Sequence, residues 1–254
     1  MQFHRSFVAS LAGSAALATT LALSGAAQAG LTPVTASLSA TYYQVPDGSD
    51  PDFNANSTPN VLMGSKLGPD GLPVATTPFG VSDVNPTTHE ITWWSPALNS
   101  NVTQTGTGTV TLPYSSNMFA PNSTGTNDAS FFETAVFKGT FNLSAASTVE
   151  FALGSDDDSF IYVDGVLFGS NPGVHSVTNV DFTSPTLGIG NHSIEVFYDD
   201  RQNVAANLSL SLLSSGVTIN PGIPEPATWA VMLVGFGGLG AAMRSNRRKQ
   251  AVAA

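Results

Sequence analysis

The chain has 254 residues, no cysteine and a formal net charge of −10 at neutral pH. Without cysteine it can build no disulfide, thiolate metal centre or thiol nucleophile, so stability has to come from the core, hydrogen bonds and any bound ion. Between Leu31 and Asn220 only Lys66, Lys138 and Arg201 are basic, against seventeen Asp or Glu, and so acidic a surface repels phosphate backbones and excludes nucleic acid as a partner.

Residues 1–29 read as an export signal peptide. His4 and Arg5 make a short polar start, Phe7 to Leu23 is apolar and alanine-rich, and Ala27-Gln28-Ala29 fits the small-residue cleavage rule, so a mature chain begins near Gly30. From there to residue 215, Thr, Ser, Asn, Gly and Pro dominate, and short apolar alternations replace any helical period. That pattern predicts an all-β domain over 30–215, a single antiparallel β-sandwich.

Ala36 to Val45 reads as the first strand, with Leu38, Ala40 and Tyr42 on one parity. Asp47 to Pro59, carrying Asp47, Asp50 and Asp52, reads as a solvated connection, with a second acidic rim as the alternative. Glu90 to Ser95 is a strand candidate whose Trp93 and Trp94 would point to opposite faces, one to the core and one outward. Asn99 to Thr111, alternating Thr with Gly and Val, is either a flat strand or a long loop. Phe131 to Asn142 is a strand that feeds Val149 to Leu153 through a Ser-rich turn. Asn191 to Tyr198 alternates, and Asn207 to Leu212 alternates most cleanly, with Leu208, Leu210 and Leu212 inward.

Three adjacent carboxylates, Asp156, Asp157 and Asp158, lie between the Val149 to Leu153 strand and an aromatic, β-branched strand from Phe160 to Val163; Asp164-Gly165 then signals a two-residue hairpin turn. Adjacent anions repel and cannot be buried unpaired, so the triplet either faces water as a solvated turn or shares a cation. Calcium suits such a loop, because it takes six to eight oxygen ligands and short Asp side chains cost little to order. His175 reads as a structural hydrogen-bonding residue, and Asp200-Arg201 as an ion pair or loop clamp.

Ser155-Asp156-Asp157, Ile161-Tyr162-Val163-Asp164-Gly165, Gly173-Val174-His175 and Gly190-Asn191-His192-Ser193-Ile194 together resemble the protective-antigen-like β-sandwich domain, and Ala40-Thr41-Tyr42-Tyr43 looks like its opening strand. The second half is also similar to the fibro-slime domain, with Val196-Phe197-Tyr198-Asp199-Asp200-Arg201 at its aromatic-acid-Arg stretch. The resemblance implies a non-catalytic module in which two consecutive Asp, joined by a cis peptide, hold a calcium that coordinates sugar hydroxyls. Here that pair is Asp156-Asp157, with Asp158 beside it and Asp199, Asp200 or Asn203 as further ligand candidates from a neighbouring loop.

Residues 216–223 read as a linker, and 224–249 as a distinct tail. Pro224-Glu225-Pro226 precedes Ala227 to Met243, an uncharged stretch whose helix would rise about 25 Å, near the lower limit for a membrane span. Arg244, Arg247, Arg248 and Lys249 follow and hold that end in the cytoplasm. The order of these features resembles the PEP-CTERM sorting signal, which implies processing by an exosortase in a Gram-negative bacterium that makes exopolysaccharide. Together the readings describe an exported protein that passes through the inner membrane to the cell surface or extracellular matrix. There it binds exopolysaccharide or a cell-surface glycan through calcium. The competing expectations are a structural biofilm matrix protein without ligand and a glycan-active enzyme, the latter disfavoured because adjacent Asp residues do not face each other across roughly 5–10 Å as glycoside hydrolysis needs.

Overall fold

Runs that alternate apolar and polar residues carry two different faces, and here they settle both by pairing into two antiparallel sheets. The computed structural model describes residues 34–53, 63–76, 81–116, 131–202 and 206–222. The signal peptide, Asn203, Pro224, Glu225, Pro226 and the expected membrane span lie outside the described residues; within them, no helix is long and apolar enough to cross a membrane. The strands are β1 (Ala36–Pro46), β2 (Met63–Leu67), β3 (Pro73–Ala75), β4 (Thr103–Leu112), β5 (Tyr114–Ser116), β6 (Phe131–Leu143), β7 (Glu150–Asp156), β8 (Ser159–Val163), β9 (Val166–Asn171), β10 (Thr178–Thr183), β11 (Gly190–Asp199), β12 (Asn207–Leu212) and β13 (Ile219–Pro221).

The larger sheet runs β3-β2-β9-β8-β11-β6-β1-β4, with β13 on the edge of β6 beyond β1; the smaller runs β10-β7-β12-β5. The domain is therefore an all-β antiparallel sandwich. Leu208, Leu210 and Leu212 of β12 meet Ala135, Phe137, Ile161, Val163, Ile194, Val196 and Tyr198 of the large sheet in one buried cluster. Asp164 (φ 51°) and Gly165 (φ 70°) form the tight turn between β8 and β9, the left-handed pair that matches strand twist in a two-residue hairpin.

Several expectations change. Phe132 and Val136 of β6, Phe160 and Tyr162 of β8 and Phe197 of β11 put apolar side chains on the outer face too, so the large sheet is covered on both sides at one end. The cover is the chain between β1 and β4, which contributes Phe53, Leu72, Ile91, Trp93, Trp94 and Val102. Trp93 and Trp94 are not on a strand with one ring outward. They lie in a turn, both buried and 5.6 Å apart in a T-shaped contact, because that outer face has to be filled. Thr103–Leu112 resolves as β4, paired along β1, and residues 219–221, expected in a linker, are strand β13 on β6.

Candidate cation site

β7 belongs to the small sheet and β8 to the large one, so the acidic triplet sits where the chain crosses between sheets. The end of β11 runs beside this crossing. The Asp157 N–H donates to the Asp199 carbonyl at 3.2 Å and the Asp199 N–H to the Asp158 carbonyl at 3.1 Å, tying the two acidic segments together. The Tyr198 hydroxyl donates to the Asp156 carbonyl, and the Asp156–Asp157 peptide bond is cis. All three Asp are buried, which removes the solvated-turn reading of the triplet.

Asp156, Asp157 and Asp200 each place a carboxylate oxygen within 4.8 Å of the other two. Asp157 is aimed by two backbone donors, the His175 N–H on Oδ1 and the Arg201 N–H on Oδ2, both at 2.8 Å. Asp200 is set by its own N–H to the Glu133 carbonyl at 2.9 Å and accepts the Gln202 N–H at 3.3 Å. The structure places Asp158 elsewhere. Its Oδ2 lies 2.7 Å from Arg201 Nε and its Oδ1 accepts the Gly173 N–H, so both oxygens are turned to partners outside the cluster. Arg201 thus clamps Asp158, with Asp199 at 3.7 Å, rather than its neighbour Asp200.

Electrostatics follow from crowding. Burial, and after it the charge and hydrogen bond of Asp157, push the Asp156 carboxyl up to about 7 against the opposing pull of His175. Burial also raises Asp157, while the N–H groups of Arg201 and His175 hold it down. Asp199, wholly buried, is raised well above the carboxylate range by burial and then by Asp158, with Arg201 opposing. A divalent cation relieves this repulsion, and the donor set fits one: every converging side-chain atom is a carboxylate oxygen, and calcium ligands at about 2.3–2.6 Å can lie about 5 Å apart across the ion. Calcium held there would supply positive charge and open coordination positions for hydroxyl oxygens. The His175 N–H holds Asp157, and its Nδ1 lies 3.0 Å from the Ser176 carbonyl.

A second acidic cluster draws on the loop after β1. Asp50 and Asp52, expected in a solvated loop, are buried and meet Asp83 with carboxylate oxygens within 4.8 Å. Asp52 accepts the Ser82 N–H at 2.7 and 2.8 Å, the Asp83 N–H at 2.8 Å and Trp93 Nε1–H at 3.3 Å; Asn99 Nδ2 donates to Asp50 and Asp83. A signal did exist, since a buried indole N–H needs an acceptor and Trp93 was a core candidate. The Trp93 ring then packs 5.2 Å from the Arg201 guanidinium, which links the two clusters through one cation–π contact.

With fold and geometry established, the comparisons divide between tail and body. The PEP-CTERM protein-sorting motif matches residues 222–249. No curated protein matches the chain. Among solved structures, a PA14 sugar-binding domain from an RTX adhesin is similar at 16% identity and TM-score 0.36, over 74% of this chain and 96% of that one. The A domain of Epithelial Adhesin 9 from Candida glabrata, in complex with Galb1-3GlcNAc, is similar at 11% identity and TM-score 0.33, over 75% of this chain and 84% of that one. A GH31 alpha-xylosidase from Xanthomonas citri shares 16% identity at TM-score 0.35, over 49% of this chain, which spans 13% of that enzyme. At those scores the likenesses assign no ligand; the architecture rests on the strands themselves.

Proposed function

We propose that this is an exported, non-catalytic β-sandwich that holds calcium at Asp156, Asp157 and Asp200 and through it binds vicinal hydroxyls of an exopolysaccharide or cell-surface glycan. The observation that carries the reading is the convergence of three buried carboxylates within 4.8 Å, with the Arg201 guanidinium hydrogen-bonded to Asp158. Carboxylates so close together suit one ion, not a hydrolytic pair separated by roughly 5–10 Å. An exosortase acting on Pro224-Glu225-Pro226 after export would deliver the domain to the cell surface or matrix of a Gram-negative bacterium.

Burial favours a second reading. Asp157 is 1% exposed and Asp200 0%, so an ion among them is largely enclosed and could serve to cross-tie β7 and β11 in a matrix protein without glycan ligand. Thermal unfolding of residues 30–222 with calcium and with excess chelator, beside Asp157→Asn, separates ion from no ion. Binding to a polysaccharide panel under the same two conditions then separates glycan from matrix. A midpoint that rises with calcium only in the parent supports the ion; superimposable curves from all samples sink it.

A further inference from the structure

Both nitrogens of the His192 ring face oxygen. Nδ1 lies 2.7 Å from Asp164 Oδ2 in the β8–β9 turn, and Nε2 lies 3.0 Å from the Gly188 carbonyl in the loop before β11. A carbonyl oxygen can only accept a hydrogen bond, and so can an ionised carboxylate. A neutral imidazole donates from one nitrogen alone and would set a lone pair against the other oxygen, whereas the imidazolium satisfies both. The ring is held in this orientation by Phe141 of β6, on which it stacks at 5.2 Å with 30° between the planes, and its side chain is only 10% exposed. Among the described residues, Asp164 is the one charged group acting on the ring. The hydrogen bonds to Asp164 and then to Gly188 raise His192 above the ordinary 6.5, with burial opposing.

Asp164 is fixed in its turn, because its Oδ1 accepts the Ser193 N–H at 2.9 Å and its own N–H donates to the Ser193 carbonyl at 3.2 Å. In the loop, Leu187 and Ser147 exchange N–H donors at 2.9 and 3.1 Å, and Gly188-Ile189-Gly190 joins that anchor to β11. Ile189 is 74% exposed, and a Cβ on either glycine would meet nothing within 4 Å. Gly190 also holds a φ of 130°, which favours glycine, so the link is a short hinge over open space. We propose that the His192 proton is a latch: the imidazolium bridges Asp164 and Gly188, fastening the β8–β9 turn and the 188–190 hinge to the end of β6, and loss of the proton releases them. The latch lies away from the acidic triplet, since β8 starts beside Asp158 and finishes beside Asp164, and the inference does not depend on the cation site. Because the folded value is the higher one, the contribution of the latch is complete below 6.5 and is lost as pH rises through the folded value. Between the two values a one-proton latch loosens by about tenfold per pH unit.

Two measurements on the full chain in detergent, with chelator present, test this. Ring ¹⁵N shifts, assigned with His192→Gln, should show both nitrogens protonated at about pH 6 and a titration above the ordinary 6.5. Asp164→Asn should bring that titration back to about 6.5, since asparagine tolerates the positive φ and keeps an acceptor for the Ser193 N–H but carries no charge. Amide protection at Asp164 and Ser193 should fall across the titration by about tenfold per pH unit relative to His192→Gln. A ring that is neutral at about pH 6, or a titration that Asp164→Asn leaves in place, overturns the bridge. Protection that follows His192→Gln while the ring titrates overturns the latch.

Discussion

Two groups of three aspartates sit at the same end of this domain and are settled by different means. Around Asp52 the carboxylates are met from within: Trp93 Nε1, Asn99 Nδ2 and the Ser82 and Asp83 N–H groups all donate to them. Burial, with the neighbouring Asp50 and Asp52, also pushes Asp83 up to about 8, so a proton does part of the neutralising near neutral pH. Around Asp157, backbone N–H groups aim the carboxylates at one another, and the Arg201 side chain is turned to Asp158. Donors that tie a loop to itself make a structural knot. Donors that fix carboxylates face to face build the arrangement that the proposed calcium would occupy, and that proposal is what separates the two groups.

The largest expected effect falls on the contact between the two groups. Arg201→Met strands buried Asp158 and Asp199 and removes the cation over Trp93, so urea unfolding should show a loss of about 3–5 kcal/mol. Adding Asp158→Asn to that variant should restore part of the loss; no recovery would mean that Arg201 acts through packing alone. Next in size, calcium at about 100 times its dissociation constant should stabilise the parent by about 2.7 kcal/mol, about 5–10 °C in midpoint for a domain of this size. Asp157→Asn should erase that gain.

Smaller is Asp52→Asn, which removes acceptors from Ser82, Asp83 and Trp93 and should cost about 1–3 kcal/mol by denaturant unfolding while leaving the calcium gain intact. Loss of the gain in that variant would erase the distinction between the clusters. A separate effect is on pH. In chelator, Asp156 and Asp83 both have folded pKa values, about 7 and about 8, above the ordinary 3.8. Each binds protons more tightly when folded, so its contribution is complete below 3.8 and is lost as pH rises through its folded value. The midpoint should therefore fall between about pH 4 and 8; calcium should remove the share of the fall that ends near 7, and Asp83→Asn the share that ends near 8. A flat profile in chelator would refute this account of both clusters.

Sequence alone determined whatever depends on neighbours along the chain. Period-2 alternation marked β1, β6, β11 and β12, and Asp164-Gly165 marked its turn, because strand faces and tight turns are local geometry. The sorting motif was readable as an ordered string, and three adjacent Asp were a warning of trouble if buried. Tertiary structure decided the rest, since it turned on residues distant in sequence. Only the apolar outer face of β6, β8 and β11 explains why a Gly- and Pro-rich stretch folds back as a cover and buries both Trp93 and Trp94. Only the crossing between sheets, alongside the end of β11, could show that Asp156 and Asp157 meet Asp200 while Asp158 turns to Arg201. Repulsion between neighbouring charges is written in the sequence, but what relieves it is set by which donors the fold brings within about 3 Å.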